Sequence, residues 1–252
     1  MIVALILAAG RGERFSRGPV RKQFERINGV PMFIYAVRPY LDETIGAEVV
    51  LALDAANIAW AEEQLARYGM RERVKLTVGG KTRQESVRAA YHFACDTWQC
   101  HRKDSMLLHN AASPNVSVAT IRKCIDGLQV AEMVQPYTPQ LRTQMQLDAD
   151  GIVGIPDRKS FGVNCDPTAY RAESLKRVIE HMETERLSGD STIDLAFSLG
   201  LGIGTVVEDS SNIKVTSPWD LAAIREAMAE EVIQAIDNSD LPQTRLGRPD
   251  ND

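Results

Sequence analysis

Short apolar runs rich in β-forming residues recur along this chain, separated by stretches with helical periodicity. The runs are Ile2–Leu7, Glu48–Leu53, Val74–Val78, 106–109, 133–134, Ile203–Val207 and 213–216; the helical stretches are 33–40, 57–68, 83–94 and 118–128. A strand covered on both faces reads as a continuous apolar run, and parallel strands need a crossover, usually a helix, between them. The pattern therefore predicts an α/β fold, a mainly parallel sheet with helices on both faces.

Two helix starts are marked by capping chemistry. Thr82 and Glu85 have the spacing of a capping box ahead of the stretch 83–94. Ser217 can cap a last helix, with Pro218 at its first position and Asp220 three residues after the cap, and that helix is predicted to run to about Ile236. One region, about 135–161, breaks the alternation. There a turn signal, Asp148-Ala149-Asp150-Gly151, lies between extended-looking pieces at 141–147 and 152–155. This predicts a β-hairpin arm. An isolated hairpin is marginal in water, so the arm is expected to pack on a second copy of the chain as a homodimer; folding back on its own domain is the alternative. Residues 1–236 read as a single domain, and the polar tail 237–252 reads as disordered.

The most informative segment follows the first strand. Ala8-Ala9-Gly10-Arg11-Gly12-Glu13-Arg14-Phe15 is trailed by Arg17 and by Arg21-Lys22-Gln23. Glycines let backbone N–H groups close on a ligand, and the clustered cations suit a triphosphate. Small, apolar Ala8 and Ala9 have no purpose in a merely solvated basic loop. A Walker-type loop is absent, and the dinucleotide fingerprint fails because Phe15 stands where its third glycine belongs. The overall net charge is −5. With no global positive field, nucleic acid and acidic membrane are not expected partners, and the anion must be met locally. Cys95, Cys100, Cys124 and Cys165 form no CxxC pair, so they read as reduced thiols of a cytoplasmic protein rather than zinc ligands. The opening apolar run has no basic residue before it and is too short for a leader or a membrane span.

These residues together resemble the family of 2-C-methyl-D-erythritol 4-phosphate and ribitol-5-phosphate cytidylyltransferases. The resemblance rests on Ala8-Ala9-Gly10-x-Gly12-x-Arg14, Lys22-Gln23, Gly29-x-Pro31, Gly79-Gly80-x-x-Arg83-x-x-Ser86-Val87, His109-Asn110-Ala111-Ala112-Ser113-Pro114, and Asn212-Ile213-Lys214-Val215-Thr216 with Pro218 and Asp220-Leu221. It implies a Rossmann-like nucleotidyltransferase domain that moves CMP from CTP onto a phosphorylated polyol or similar small acceptor, with magnesium or another divalent cation. In this likeness Arg14, Lys22 and Lys214 surround the triphosphate and are catalytic. Ala8, Ala9, Gly10, Arg11, Gly12, Gly80, Ser86 and Asn110 line the nucleotide; Arg158, Arg142, Gln140 and Thr216 meet the acceptor. Asn110 and Asp209 are the metal candidates, although Glu208-Asp209 reads equally as a solvated acidic pair. The acceptor's phosphate oxygen is already ionised at neutral pH, so positioning and charge neutralisation can supply most of the catalysis.

The chain also departs from that pattern. Asn110 stands where the family usually has Asp, Ser113 where it has Arg, and Arg21 where it has Pro. Pro139-Gln140 replaces an Asp-Thr, Asp166-Pro167-Thr168 replaces Thr-Pro-Gln, and a Thr-Asp pair is lost around Asp190-Ser191. Most of these positions are on the acceptor side, so the expectation is retained nucleotide binding with a changed acceptor. Two other readings stay open: a nucleotide-binding or scaffolding homologue that has lost catalysis, and a nucleotidyltransferase that uses another triphosphate. Arg83 reads as a helix anchor, and His109 as either a core histidine or a catalytic one.

Overall fold

The first strand, β1 (Ile2–Leu7), lies inside the sheet. The computed structural model describes residues 1–10, 22–184 and 191–229. A small hairpin, β2 (Arg26–Ile27) and β3 (Val30–Pro31), leads into α1 (Met32–Val37). Then β4 (Glu48–Leu53), α2 (Ile58–Arg67), β5 (Val74–Val78), α3 (Arg83–Trp98), β6 (Ser105–Asn110) and α4 (Val118–Gly127) alternate as expected. The second half holds β7 (Met133–Pro139), β8 (Gln146–Asp148), β9 (Gly151–Gly154), β10 (Gly162–Asn164), β11 (Thr168–Arg171), α5 (Ala172–Thr184), α6 (Thr192–Ser198), β12 (Ile203–Val207) and α7 (Pro218–Ala227).

The main sheet runs β10-β7-β11-β6-β1-β4-β5, with β12 added beside β7. The pairs β1–β4, β1–β6, β4–β5 and β7–β12 are parallel; β11 is antiparallel to both β6 and β7, and β10 to β7. The sheet is thus mixed around a mostly parallel core. Successive strand residues point to opposite faces. Ala4, Ile6, Leu51 and Leu53 pack with Phe33, Tyr40, Leu65 and Ile121 on one face. Val3, Leu5, Val50 and Ala52 pack with Val87, Tyr91, Leu175 and Val178 on the other. A third cluster joins Ile27, Met32, Val215, Leu221 and Ile224, so α7 seats on the β2–β3 hairpin.

Both expected helix caps form, each as a capping box: Thr82 Oγ1 accepts from Glu85 N at 3.1 Å and Ser217 Oγ from Asp220 N at 3.3 Å. The final helix runs to Ala227 with Met228 at its C-cap, and residues 230–236 of the expected extension and the tail 237–252 lie outside the described residues.

Several expectations are corrected. Residues 213–216 are not a strand. Val215 N reaches Ala112 O at 2.8 Å as an isolated bond, and Val215 is buried in the third cluster, so apolar alternation arises here without a ladder. Residues 133–134 are the start of a longer strand, and β10, β11, α5 and α6 have no counterpart among the predicted elements. The hairpin arm exists, but residues 135–139 belong to the main sheet. Gly162 pairs with Pro139 and Gln140 N bonds Phe161 O, so the arm leaves the sheet after Pro139. Its first strand is also shorter than 141–147. The register breaks between Gln146 and Leu147, and Asp148 Oδ1 accepts from the Asp150 and Gly151 amides to close the turn.

Candidate functional site

The turns after β1, β4 and β5 converge at one edge of the sheet, where open α/β folds bind ligands. Ala8 N donates to Ala52 O at 2.8 Å and Gly79 N to Leu53 O at 2.6 Å. A Cβ on Gly79 would lie 2.6 Å from the Ala9 Cβ, so only glycine lets these turns close on each other. Gln23 is buried, and its Nε2 donates to Ala8 O and Gly10 O, each at 2.6 Å. It thereby ties down the start of the glycine loop. Lys22 Nζ donates to Val215 O at 3.0 Å, which brings the far end of that loop to the segment that carries Lys214. Arg11, Gly12 and Arg14 lie outside the described residues.

Across the edge stands the N-terminus of α3. Ser86 Oγ accepts from Gly80 N at 3.1 Å and donates to Thr82 O at 2.9 Å, so the Gly79–Gly80 turn and the helix start are one unit. A helix N-terminus presents unpaired N–H groups and partial positive charge.

Beside it opens a cavity of about 730 Å³. Arg83 from α3, Asn110 from the end of β6, Ser113, Asp166, Asn212 and Lys214 all line it. Arg83 is therefore a wall residue as well as a helix start, and its Nη1 is buried without a hydrogen-bond partner among the described residues. Asn110 Nδ2 donates to both carboxylate oxygens of Asp166, at 2.8 and 2.9 Å. Ser113 Oγ donates to Asp166 Oδ2, and Asn212 Nδ2 to the Asp166 carbonyl at 2.7 Å. Thr168 Oγ1 and Gln135 Oε1 bond at 2.8 Å in the adjoining wall.

His109 is settled as a core histidine. It is fully buried, with Nδ1 2.9 Å from Tyr40 Oη and Nε2 2.8 Å from Ser113 O. Burial holds its pKa below the ordinary imidazole range, which favours the neutral ring.

Other expected residues sit elsewhere. Thr216 Oγ1 donates to Asp220 Oδ2 at 2.7 Å, so its hydroxyl serves the α7 cap. Gln140, Arg142 and Arg158 gather on the arm: Gln140 Oε1 accepts from Arg142 N at 3.1 Å and Arg158 Nη1 donates to Leu141 O at 3.2 Å. None of the three lines the cavity of their own chain.

The donor set does not fit a protein-held divalent cation. Among the described residues no group of three or more His, Cys, Asp or Glu side chains could hold a metal. Among the described residues Asp166 is the one carboxylate in the cavity wall, and Asn110 turns its amide nitrogen toward it. Asp209 is outside the wall on an exposed turn, where the Ser211 amide bonds its Oδ1 at 2.7 Å. Magnesium needs one or two carboxylates with near-octahedral geometry and otherwise keeps water or substrate phosphate.

Sequence reasoning missed the role of Asp166, because its partners Asn110 and Ser113 come from a strand end more than fifty residues earlier. The Asp166-Pro167-Thr168 departure was the available signal.

A family model described as "IspD: 2-C-methyl-D-erythritol 4-phosphate cytidylyltransferase" matches residues 2–231. A 2-C-methyl-D-erythritol 4-phosphate cytidylyltransferase from Thermobifida fusca is 31% identical over 241 residues, covering 92% of this chain and 95% of that protein. A ribitol-5-phosphate cytidylyltransferase from Lactiplantibacillus plantarum is 25% identical over 232 residues, covering 92% and 99%. The crystal structure of the 2-C-methyl-D-erythritol 4-phosphate cytidylyltransferase from Thermus thermophilus has a similar fold, with TM-score 0.71 at 21% identity, covering 91% of this chain and 100% of that one.

Proposed function

Because the chain belongs to the 2-C-methyl-D-erythritol 4-phosphate cytidylyltransferase family, a family of CTP-dependent nucleotidyltransferases, we propose that it transfers CMP from CTP to a phosphorylated polyol or similar small acceptor and releases pyrophosphate. The observation that carries this reading is the shared edge of the sheet. There the start of the glycine loop packs on the Gly79–Gly80 turn, and that turn is bonded to the start of α3, which with Asn110 and Lys214 lines the cavity, although Ala8, Ala9, Gly10, Gly80 and Ser86 are not themselves in its wall.

In the proposed reaction a phosphate oxygen of the acceptor attacks the α-phosphorus of CTP, the α–β bridging bond breaks, and pyrophosphate leaves with the electron pair. Arg14, Lys22 and Lys214 neutralise charge as it builds on the phosphates. The start of the loop, Ala8 to Gly10, holds the nucleotide against the backbone, and the Gly80–Ser86 turn faces the base. Enzymes of this family generally use a divalent cation. Among the described residues the wall offers it a single carboxylate, so in this reading the cation enters on the phosphates of CTP.

The arm supports a homodimer. Leu147, Ile152, Val153 and Ile155 are all more than half exposed. An apolar ribbon of this kind is a surface that a second copy can cover, and a partner's arm would bring its Arg142 and Arg158 to the acceptor. All four cysteines are free, which supports a reducing, cytoplasmic setting. No described helix is long and apolar enough to cross a membrane.

The test is pyrophosphate release in magnesium with CTP, GTP, UTP or ATP against phosphorylated acceptors. The expected result is release with CTP and not with the other three. No release with CTP on any acceptor, together with no rise in melting temperature on adding CTP, overturns the proposal.

A further inference from the structure

Asp166 is 8% exposed, lines the cavity, and is the only carboxylate to do so among the described residues. Its oxygens are held by an amide and a hydroxyl, both neutral: Asn110 Nδ2 at 2.8 and 2.9 Å, and Ser113 Oγ. No ion pair to it occurs among the described residues, while the cations Arg83 and Lys214 line the same cavity. A nearly buried carboxylate without a counter-charge is costly, and hydrogen bonds from neutral groups offset only part of that cost.

The wall around it is also rich in acceptors. Asn110 spends its two amide contacts on Asp166, and its Oδ1 bonds nothing among the described residues. Asn212 Oδ1, in the same wall, has no donor either. Cations and a carboxylate thus share one cavity, and the Asn110 amide that holds the carboxylate leaves its own oxygen unfilled among the described residues. A hydroxyl would fill one acceptor and leave the charge. An ammonium has three donors and a positive charge, so it answers both.

We propose that Asp166 selects the acceptor, and that the acceptor is zwitterionic: a small phosphate or phosphonate that also bears a primary amine. This rests on the CMP-transfer reading above. The phosphate end faces the cations and the triphosphate, and its oxygen forms the new bond to the α-phosphorus as pyrophosphate leaves. The ammonium sits against Asp166 and is not consumed. Asp166 is a specificity residue, and Asn110 and Ser113 position its carboxylate.

The test compares acceptors that differ in one group. Full-length protein with CTP and magnesium is given ethanolamine phosphate, its neutral twin 2-hydroxyethyl phosphate, or ribitol 5-phosphate. The amine is expected to lead its hydroxyl twin by on the order of 10- to 100-fold in kcat/KM, as for a hydrogen bond to a charged group. Asp166→Asn should erase that lead while CTP still raises the melting temperature. If 2-hydroxyethyl phosphate or ribitol 5-phosphate matches or beats the amine in the parent protein, the inference falls and CMP transfer stands. If Asp166→Asn slows both twins equally and raises the magnesium needed for half-maximal rate, Asp166 serves a metal and the inference falls. Silence on every acceptor with no thermal response to CTP overturns the CMP-transfer reading itself. The paired acceptors need no variant, so a variant that fails to fold leaves the comparison intact.

Discussion

Lys22 Nζ donates to the carbonyl oxygen of Val215 at 3.0 Å, joining residues 193 positions apart. The bond ties the exit of the glycine loop to the segment that presents Lys214 to the cavity. Lys22→Met should therefore lower kcat by roughly 100-fold, the scale for losing one positioned donor to transition-state charge. The melting temperature should fall only slightly, because the lysine is half-buried rather than core. Steady-state kinetics beside a thermal melt would measure both. Turnover within twofold of the parent would remove Lys22 from the catalytic set.

Gly80 has no room for a side chain. A Cβ there would lie 2.0 Å from the Glu85 Cβ, inside the capping box of α3. Gly80→Ala should cost about 1–3 kcal/mol of stability through overpacking. It should also blunt the CTP-induced rise in melting temperature, because the turn and the helix start shift together. An unchanged CTP response in the alanine variant would mean that this turn does not touch the nucleotide.

His109 links stability to pH. Burial lowers its pKa in the folded protein below the unfolded value of about 6.5. The unfolded chain then binds the proton more readily, so this contribution is present above pH 6.5 and is lost as pH falls through the window below it. His109→Gln should flatten that slope in melts taken at descending pH. It should also lower stability by about 1–3 kcal/mol, because the buried Tyr40 hydroxyl loses its partner. A variant whose melting temperature tracks pH as the parent's does would assign the slope to other groups.

The arm tests the proposed dimer. Ile152→Asp combined with Ile155→Asp places two charges on exposed apolar positions of the ribbon. Sedimentation velocity should show a dimer for the parent chain and a monomer for the double variant, with kcat/KM for the acceptor reduced about tenfold or more if a partner's arm completes the site. A parent that sediments as a monomer at micromolar concentration would refute pairing through the arm.

Much of the site's β1, β4 and β5 side, the proposed nucleotide side, was legible in the residues alone. The apolar runs of β1, β4 and β5, the glycines beyond β1 and β5, and the Thr82–Glu85 cap are local patterns, set by neighbours within one turn or one strand. Backbone sterics and side-chain periodicity act at that range, so sequence order is enough to read them. The opposite side, proposed for the acceptor, was not legible in this way. Residues 213–216 have the alternation of a strand, yet they found an apolar cluster instead of a ladder partner. β11 joins the sheet antiparallel between β6 and β7, which no local pattern announces.

What the sequence determined by itself is therefore the α/β alternation, the helix starts and the composition of the glycine- and arginine-rich loop after β1. Only the tertiary structure decided that Asp166 sits against Asn110 and Ser113. The charge that the central motif lacks is found on another strand's approach, and a through-space carboxylate leaves no periodic trace in the chain. Electrostatics acts over ångströms of space, whereas periodicity is read along the chain, and the fold alone connects the two.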